Sequence, residues 1–203
     1  MELFDEGACE VLRWPDAEWL YWPRFLPAAE ADAVFAQLRD ELAWRQDELH
    51  IGGRTIPIPR LNAWYADVGR GYTYSGIRME PLPWTEMLAG LRTRVETACA
   101  ARFNSVLCNF YRDGRDSVAW HADDEPELGR EPQIASLSLG AERTFELRHR
   151  RARELGLRTQ HLHLLGGSLL LMRGATQRCW LHRLPKEPGI TRGRINLTFR
   201  QVL

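Results

Sequence analysis

A histidine and two aspartates lie within four consecutive positions of the stretch WHADDEPEL, residues 120–128. If this stretch is a β-strand, His121 and Asp123 point to the same face, because successive side chains of a strand alternate between faces. An imidazole and a carboxylate are two of the three protein ligands that non-haem iron(II) oxygenases use. A His-x-Asp pair is also common in solvated turns, so a third ligand has to be identified before a metal site is predicted.

The third ligand has to come from the other five histidines of the chain. We favour His182, in CWLHRLP, because a late strand of a jelly roll could return beside the first pair. His161 and His163 alternate in QHLHLL and are rival candidates, but two more histidines would leave few open positions for oxygen and a cosubstrate. The sequence therefore predicts an iron site formed by His121, Asp123 and His182.

The segment RINLTFR carries polar side chains at every second position. As a strand, it would present four of them on one face: Arg194, Asn196, Thr198 and Arg200. Arginines on an inward face suit a 2-oxo dicarboxylic acid, since a guanidinium binds a carboxylate through two parallel hydrogen bonds. Asn109 and Tyr111 alternate in the same way in CNFY and could complete the pocket for this cosubstrate.

The remaining sequence indicates helices first and a β-rich region afterwards. Residues 28–44 and 84–100 place apolar side chains at helical spacing and predict two amphipathic helices. After residue 104, short alternating segments separated by Gly-containing turns predict the strands of a sandwich or barrel. We therefore expect an α+β fold with a double-stranded β-helix (jelly-roll) core on which the N-terminal helices pack, as a single domain over residues 1–203.

The composition is that of a soluble globular protein, with 44% hydrophobic residues, 27% charged residues and zero net charge. No apolar run approaches the ~18 residues that a membrane helix needs, and the acidic N-terminus shows no export signal. The four cysteines have no C-x-x-C spacing, which argues against a zinc site or a redox motif. We expect a cytoplasmic monomer with free thiols and without membrane association.

Several segments resemble the AlkB-type iron(II)- and 2-oxoglutarate-dependent nucleic-acid demethylases, and among them the eukaryotic-type branch that acts well on single strands. Over about residues 55–203, the matching segments are PRLNAWY, YTYSGI, NFYRDGRDSVAWHADDEPELG, IASLSLGAERTFELRHR, GATQRCWLHRLPK and RINLTFR. The resemblance implies Fe(II), O2 and 2-oxoglutarate, with the three predicted iron ligands and Arg200 as catalytic residues. It also implies six 2-oxoglutarate contacts: Asn109, Tyr111, Arg194, Asn196, Thr198 and Arg200.

On the substrate side, the resemblance implies N-methylated bases, chiefly 1-methyladenine and 3-methylcytosine, that are flipped into a pocket. Such lesions are cationic, so aromatic faces and carboxylates suit them. The implied contacts are Tyr72, Tyr74, Asp124, Glu125 and Arg60, with Glu125 reading the base edge. Read without the resemblance, the same residues are packing tyrosines and a solvated acidic turn. Residues 1–104 are then expected to hold the helices and a nucleotide-recognition lid, and residues 105–203 the catalytic core.

Two further segments bear on the nucleic acid itself. RHRRAR, residues 148–153, is either a phosphate contact or a solvated loop. LHIGGRTIP lies where members of the family that work on duplex DNA carry an apolar finger, and Ile51 is the only apolar residue directly next to Gly52 and Gly53. Because an intercalating wedge needs bulk, we expect a preference for single-stranded DNA or RNA, or for already distorted DNA, with matched duplexes as possible substrates. Two functions remain as alternatives to nucleic-acid demethylation. One is an oxygenase that acts on a protein or a small molecule, and the other is a non-catalytic nucleic-acid-binding module.

Overall fold

The structure is a computed structural model that describes residues 8–51, 53–68, 72–74, 77–79 and 81–203. The side chains of residues 50, 51, 72–74 and 77–79 lie outside the described part. In chain order, its elements are β1 (Glu10–Trp14), β2 (Ala17–Trp22), α1 (Ala28–Glu41), β3 (Glu48–Ile51), β4 (Arg54–Pro57), β5 (Leu61–Ala66), β6 (Tyr72–Tyr74), β7 (Ile77–Met79), α2 (Glu86–Cys99), β8 (Ser105–Tyr111), β9 (Val118–His121), a 3-10 turn (Pro126–Leu128), β10 (Ile134–Gly140), β11 (Arg143–His149), β12 (Gln160–Leu164), β13 (Leu169–Arg173), α3 (Thr176–Cys179), β14 (Trp180–Leu184) and β15 (Arg194–Arg200).

Two antiparallel sheets form the core. The larger has seven strands in the order β1-β2-β13-β10-β15-β8-β5, and the smaller has four in the order β12-β11-β14-β9. Side chains of both sheets meet in one buried apolar cluster, which includes Trp64 and Leu170 from the larger sheet and Leu147 and Trp180 from the smaller. This arrangement confirms the predicted jelly-roll core of an α+β fold.

The two long helices cover the outer face of the larger sheet. Both begin and end within three residues of the predicted segments, and both bury the apolar stripe that predicted them. Thr85 caps α2, because its hydroxyl accepts a hydrogen bond from the backbone N–H of Leu88. Leu38 of α1 and Leu88 of α2 are fully buried against this sheet, and each such burial contributes roughly 1.5–3 kcal/mol. Among the described residues, no helix is both long and apolar enough to cross a lipid bilayer.

Strand β15 lies at the centre of the larger sheet, between β10 and β8. Its apolar side chains, Ile195, Leu197 and Phe199, are fully buried in the cluster that includes the helices. The alternation of a strand therefore turns its four polar side chains to the opposite face, toward the smaller sheet. The helices thus determine which face of β15 is available for chemistry.

The N-terminal part of the chain contributes three strands to the larger sheet, namely β1, β2 and β5. The sequence did not predict strands over residues 10–22, since EVLRW and AEWLYW lack a regular alternation of polar and apolar side chains. Trp180 of the smaller sheet donates its indole N–H to the carbonyl of Pro15 at 2.9 Å. This hydrogen bond connects the turn between β1 and β2 to the smaller sheet. Residues 10–14 and 17–22 are therefore part of the sandwich.

The loop after β8 is held against the segment after β14. Gly114 donates to the carbonyl of Ile190 and accepts from the N–H of Glu187, and a Cβ at Gly114 would overlap the Glu187 carbonyl. Arg143 is buried beside this contact and donates to the carbonyls of Asp113, Asp116 and Pro185. The contact therefore ties together the ends of two strands that carry candidate site residues.

We expect Gly114→Ala to lower the free energy of unfolding by roughly 1–3 kcal/mol or more, because the added methyl group overpacks a backbone contact. Gly189→Ala is the matched control, since a Cβ there meets no atom within 4 Å. It should change stability by less than about 0.5 kcal/mol. Urea denaturation of both variants measures the difference, and equal stabilities would contradict the close approach.

Candidate active site

One cavity between the two sheets collects most of the predicted site residues. Its lining consists of Arg60, Asn109, Tyr111, Val118, His121, Asp123, Ser136, Phe145, His182, Leu184, Arg194, Asn196, Thr198 and Arg200. The lining is apolar on one side and carries guanidinium, imidazole, amide and hydroxyl groups elsewhere. Such a mixture is typical of a site that both orients polar ligands and limits the access of water.

The three predicted iron ligands meet at one side of this cavity. His121 ends β9 and lies directly across from His182 on the neighbouring strand β14. The two imidazole centroids are 4.3 Å apart, and the ligand atoms of His121, Asp123 and His182 all lie within 4.8 Å of one another. The adjacency of β9 and β14 is thus what brings residues about sixty positions apart in the sequence into one group.

Asp123 reaches this group in a different way from the one expected. Strand β9 ends at His121, so the pair does not lie on one continuous strand and strand alternation does not place Asp123. Its carboxylate is held by Arg200, whose Nη2 donates to Oδ1 at 2.7 Å. Its backbone N–H donates to the side-chain carbonyl of Gln177 at 3.0 Å. Two long-range hydrogen bonds therefore replace the strand geometry.

The protonation states of the three side chains suit a metal ion. Burial lowers the pKa of His182 to about 3, with a further contribution from His121, and burial also lowers the pKa of His121. Burial alone would raise the pKa of Asp123, but the charge and hydrogen bond of Arg200 lower it below its ordinary value. At neutral pH the group therefore offers two neutral imidazoles and one carboxylate, the forms in which these side chains bind metals.

Two details of hydrogen bonding support the fit to iron(II). His121 places Nδ1 2.9 Å from the carbonyl of Ala119, so Nδ1 carries the hydrogen and Nε2 is left as a ligand atom. The Nδ1 atom of His182 is buried and has no hydrogen-bond partner among the described residues. Two imidazoles and one carboxylate on one side of a cavity are the donor set that non-haem iron(II) uses, and the residues present fit it.

Across the cavity, Arg194 is a buried cation with neutral partners. It is 2% exposed, its Nη2 donates to the hydroxyl of Ser138 at 2.9 Å, and its guanidinium lies 5.4 Å from the ring centroid of Tyr111. Burial lowers its pKa to about 10, which leaves it charged at neutral pH. Its Nε is buried without a hydrogen-bond partner within the described part of the chain. A carboxylate would supply both the missing acceptor and the compensating charge.

The other predicted cosubstrate contacts form a connected polar layer beside Arg194. Asn196 donates to the hydroxyl of Ser136 at 2.8 Å, and Thr198 donates to the Asn196 side-chain carbonyl at 3.0 Å. Arg60 donates through Nε to the side-chain carbonyl of Asn109 at 2.9 Å. Arg60, expected on the substrate side, therefore lies in the cavity in contact with a predicted cosubstrate residue.

Two of the acidic residues expected at the substrate are not in the cavity. Asp124 is on the surface with its side chain 55% exposed, and it pairs with Arg150 at 2.9 Å. Glu125 likewise does not line the cavity. Arg150 holds Asp124 at the surface, and the 3-10 turn Pro126–Leu128 begins directly after Glu125. The side chains of Tyr72 and Tyr74 lie outside the described part, although both residues belong to β6.

The rival histidines do not compete for the metal group. His161 and His163 are exposed on β12 at the far edge of the smaller sheet, with side chains 53% and 65% accessible, beside Glu146 and Glu142 respectively. The structure thus groups His182, and neither rival, with His121.

Three residues with a clear place in the site were missed from the sequence. Ser136 and Ser138 alternate in IASLSLG and support Asn196 and Arg194, so their spacing on β10 was a usable signal. Gln177 accepts a hydrogen bond from the backbone of Asp123, 54 positions away, and no local sequence pattern predicts such a contact.

Comparisons with known proteins agree with this geometry. Residues 18–200 match the profile of the 2OG-Fe(II) oxygenase superfamily. The chain is 47% identical over 190 residues to the alpha-ketoglutarate-dependent dioxygenase alkB homolog 3 of Mus musculus, covering 89% of this chain and 65% of that protein. It is 38% identical over 182 residues to the DNA oxidative demethylase ALKBH2 of Homo sapiens, covering 86% of this chain and 70% of that protein. The chain thus spans about two thirds of the length of these relatives.

Two solved structures share the fold at low sequence identity. The structure of OsALKBH1 superposes with a TM-score of 0.63 at 16% identity, covering 96% of this chain and 100% of that one. A Pseudomonas putida prolyl-4-hydroxylase superposes with a TM-score of 0.51 at 17% identity, covering 90% and 92%. Both likenesses concern the fold alone.

We expect His182→Ala to weaken Mn(II) binding by more than roughly 100-fold, because loss of a direct ligand exceeds the 10–100-fold effect of losing an outer-shell partner. His163→Ala, on the exposed edge strand, should bind Mn(II) like the unmodified protein. Chelator competition measures both affinities. Wild-type affinity in His182→Ala would remove His182 from the ligand set.

The stability of the metal-free protein should fall as the pH is lowered from about 7.5 to about 5. The unfolded chain protonates His182 near its ordinary pKa of about 6.5, whereas the folded protein holds this pKa at about 3. Protons therefore favour the unfolded state in this window, and His182 accounts for a loss of roughly 2 kcal/mol by pH 5. His182→Gln should show a shallower dependence than His163→Gln in denaturant titrations. Equal slopes in the two variants would show that His182 protonates freely in the folded state.

Proposed function

The chain belongs to the 2OG-Fe(II) oxygenase superfamily and to its AlkB-type members, and on that premise we propose that it oxidatively demethylates N-alkylated bases in nucleic acids. The substrates of this proposal are lesions such as 1-methyladenine and 3-methylcytosine in DNA or RNA. The proposed reaction is a direct reversal of damage, with release of formaldehyde, succinate and CO2. The names of the mouse and human relatives support the assignment of this activity.

The observation that carries the chemical part of the proposal is the presence of two complementary groups in one cavity. The His-Asp-His group could hold iron(II), and the buried Arg194 lacks an acceptor for its Nε among the described residues. A 2-oxo dicarboxylic acid satisfies both, since its keto acid end can chelate a metal while its far carboxylate binds a guanidinium.

When bound, iron(II), 2-oxoglutarate and O2 supply an oxidation that hydroxylates the N-methyl group, and the hydroxymethyl product loses formaldehyde to give the repaired base. His121, Asp123 and His182 would hold the metal. Arg194, with Tyr111 beside it, would bind the far carboxylate. These residues orient the reactants and undergo no covalent change.

Other side chains of the cavity control position and solvent. Arg200 holds the carboxylate of Asp123 in its charged form and fixes its direction. Ser138 fixes the guanidinium of Arg194. Phe145 and Leu184 give the cavity an apolar side, and Phe145 packs 5.3 Å from the ring of His182. An apolar wall limits water near the reacting methyl group and protects the reactive chemistry from side reactions.

Contacts to the nucleic acid outside the cavity are proposed for the arginines of RHRRAR. Arg148, Arg150, Arg151 and Arg153 are all exposed. Arg150 pairs with Asp124, directly after the predicted iron ligand, so this arginine lies close to the catalytic centre. Exposed ion pairs of this kind are weak, and a phosphate can take the place of the carboxylate at little cost.

Cytoplasmic localisation and a monomeric state also belong to the proposal. All four cysteines are free thiols, and two of them, Cys99 and Cys108, are buried. Burial raises the pKa of Cys99 to about 12, which keeps this thiol protonated and unreactive. Free thiols support a reducing compartment.

The proposal is tested with a panel of methylated DNA and RNA oligonucleotides, single-stranded and duplex, incubated with the protein, Fe(II) and 2-oxoglutarate. Mass spectrometry should show loss of the methyl group with one succinate formed per repaired base. Succinate formed only with peptides or small molecules would favour an oxygenase of another class. Tight oligonucleotide binding without succinate would favour a non-catalytic binding module.

Arg194→Ala should raise the 2-oxoglutarate requirement steeply, because removing one side of a buried charge pair costs about 2–5 kcal/mol. Arg192→Ala, two residues earlier and exposed, is the matched control and should leave the requirement unchanged. The apparent KM for 2-oxoglutarate in succinate formation measures the effect. An unchanged KM in Arg194→Ala would transfer the carboxylate-binding role to Arg200.

We expect the same lesion to be repaired faster in a single strand than in a matched duplex. Extruding a base from a duplex costs a few kcal/mol, and a bulky apolar wedge offsets this cost in proteins that insert one. The hairpin β3–β4 carries Ile51 at its tip as the candidate wedge; the side chain of Ile51 and residue Gly52 lie outside the described part. Ile51→Phe should narrow the ratio of kcat/KM between the two substrates, measured at one salt concentration. A duplex preference in the unmodified protein would show that another element opens the duplex.

A further inference from the structure

Gln177 is a buried polar residue that lies behind the metal group and outside the cavity. It belongs to the single turn α3, which connects β13 to β14, and it is 1% exposed. It is not among the side chains that line the cavity. It therefore touches neither a bound metal nor a cosubstrate, and any role in the reaction has to act through another residue.

The side-chain amide of Gln177 has a hydrogen-bond donor as the partner of its oxygen and an acceptor as the partner of its nitrogen. The carbonyl Oε1 accepts the backbone N–H of Asp123 at 3.0 Å, and Nε2 donates to the thioether sulfur of Met172 at 3.7 Å. A backbone N–H only donates and a thioether only accepts. The two contacts therefore fix the amide in one orientation, with its acceptor directed at Asp123.

This hydrogen bond joins two of the metal-binding segments. Asp123 lies beyond the end of β9, where no strand ladder holds its backbone. Gln177 lies five residues before His182, and α3 leads directly into β14. The contact therefore fixes the backbone of one ligand to the segment that carries another, while Arg200 directs the Asp123 carboxylate from the opposite sheet.

We propose that Gln177 is a positioning residue for the metal centre, whose side-chain carbonyl fixes the backbone of Asp123 relative to His182. The inference rests on the iron-binding role assigned to this group under the proposed function. Removing an outer-shell partner of a metal ligand typically lowers metal affinity by about 10–100-fold. Loss of the Gln177 acceptor should lower the affinity for the metal by a similar factor and leave the affinity for the oligonucleotide unchanged.

The test compares variants that separate the acceptor from the volume of the side chain. Gln177→Met keeps the length and removes the acceptor, and Gln177→Glu keeps an acceptor at the same position. Met172→Leu removes the partner of Nε2 and leaves the contact to Asp123 intact. Mn(II) binding to the full chain is measured by chelator competition, and the Tm of each metal-free variant is measured alongside.

We expect Gln177→Met to bind Mn(II) about 10–100-fold more weakly, whereas Met172→Leu should keep about the wild-type affinity and Gln177→Glu should recover most of it. The Fe(II) concentration needed for half-maximal demethylation should rise most in Gln177→Met and little in the other two variants. The KM for the oligonucleotide should stay unchanged in all three. Wild-type Mn(II) affinity in Gln177→Met, even with a lowered Tm, would reduce Gln177 to a purely structural residue and overturn the inference.

If Gln177→Met does not fold, Gln177→Asn decides the question, because it keeps a buried amide but withdraws the acceptor by one methylene. Weakened Mn(II) binding in Gln177→Asn supports the inference, and wild-type binding overturns it. Failure of the underlying iron assignment is distinguishable, since the unmodified protein would then bind no Mn(II) at this site.

Discussion

The buried ion pair between Arg200 and Asp123 is the constraint on which the rest of the site depends. Both side chains are 2% exposed, and their closest atoms are 2.7 Å apart. Breaking such a pair leaves an uncompensated buried charge, at a cost of about 3–5 kcal/mol. The pair joins the end of β15 in the larger sheet to the segment that follows β9 in the smaller sheet. It therefore fixes where the two sheets meet and directs the Asp123 carboxylate toward the two histidines.

The orientation of β15 follows from the same constraint. Arg200 faces inward, so strand alternation also turns Arg194, Asn196 and Thr198 inward, and the apolar alternates need the cover that α1 and α2 provide. The cavity thus holds more guanidinium groups than carboxylates, and its imidazoles are neutral at physiological pH. A bound metal cation adds to the positive charge. A dianionic cosubstrate is the complement that such a cavity favours, which is why the charge of the cavity and the proposed chemistry agree.

The sequence predicted the elements whose signals are local. The alternation in RINLTFR predicted β15 and its polar face, and helical spacing predicted α1 and α2. It failed where the fold depends on contacts between distant residues. The strand expected to carry both His121 and Asp123 ends at His121, and Asp123 is held instead by Arg200 and Gln177. Neither of these contacts has a signature in the neighbouring sequence, whereas the alternating serines of β10 are a local signal.

The central claim is that one cavity holds both a metal and a dicarboxylate, with Arg194 as the partner of the far carboxylate. A crystal structure of the protein with Mn(II) and 2-oxoglutarate tests it most directly. The account predicts the metal among His121, Asp123 and His182, and the far carboxylate in hydrogen-bond contact with the guanidinium of Arg194. A cosubstrate whose far carboxylate lies away from Arg194, or a metal bound outside these three side chains, would contradict it.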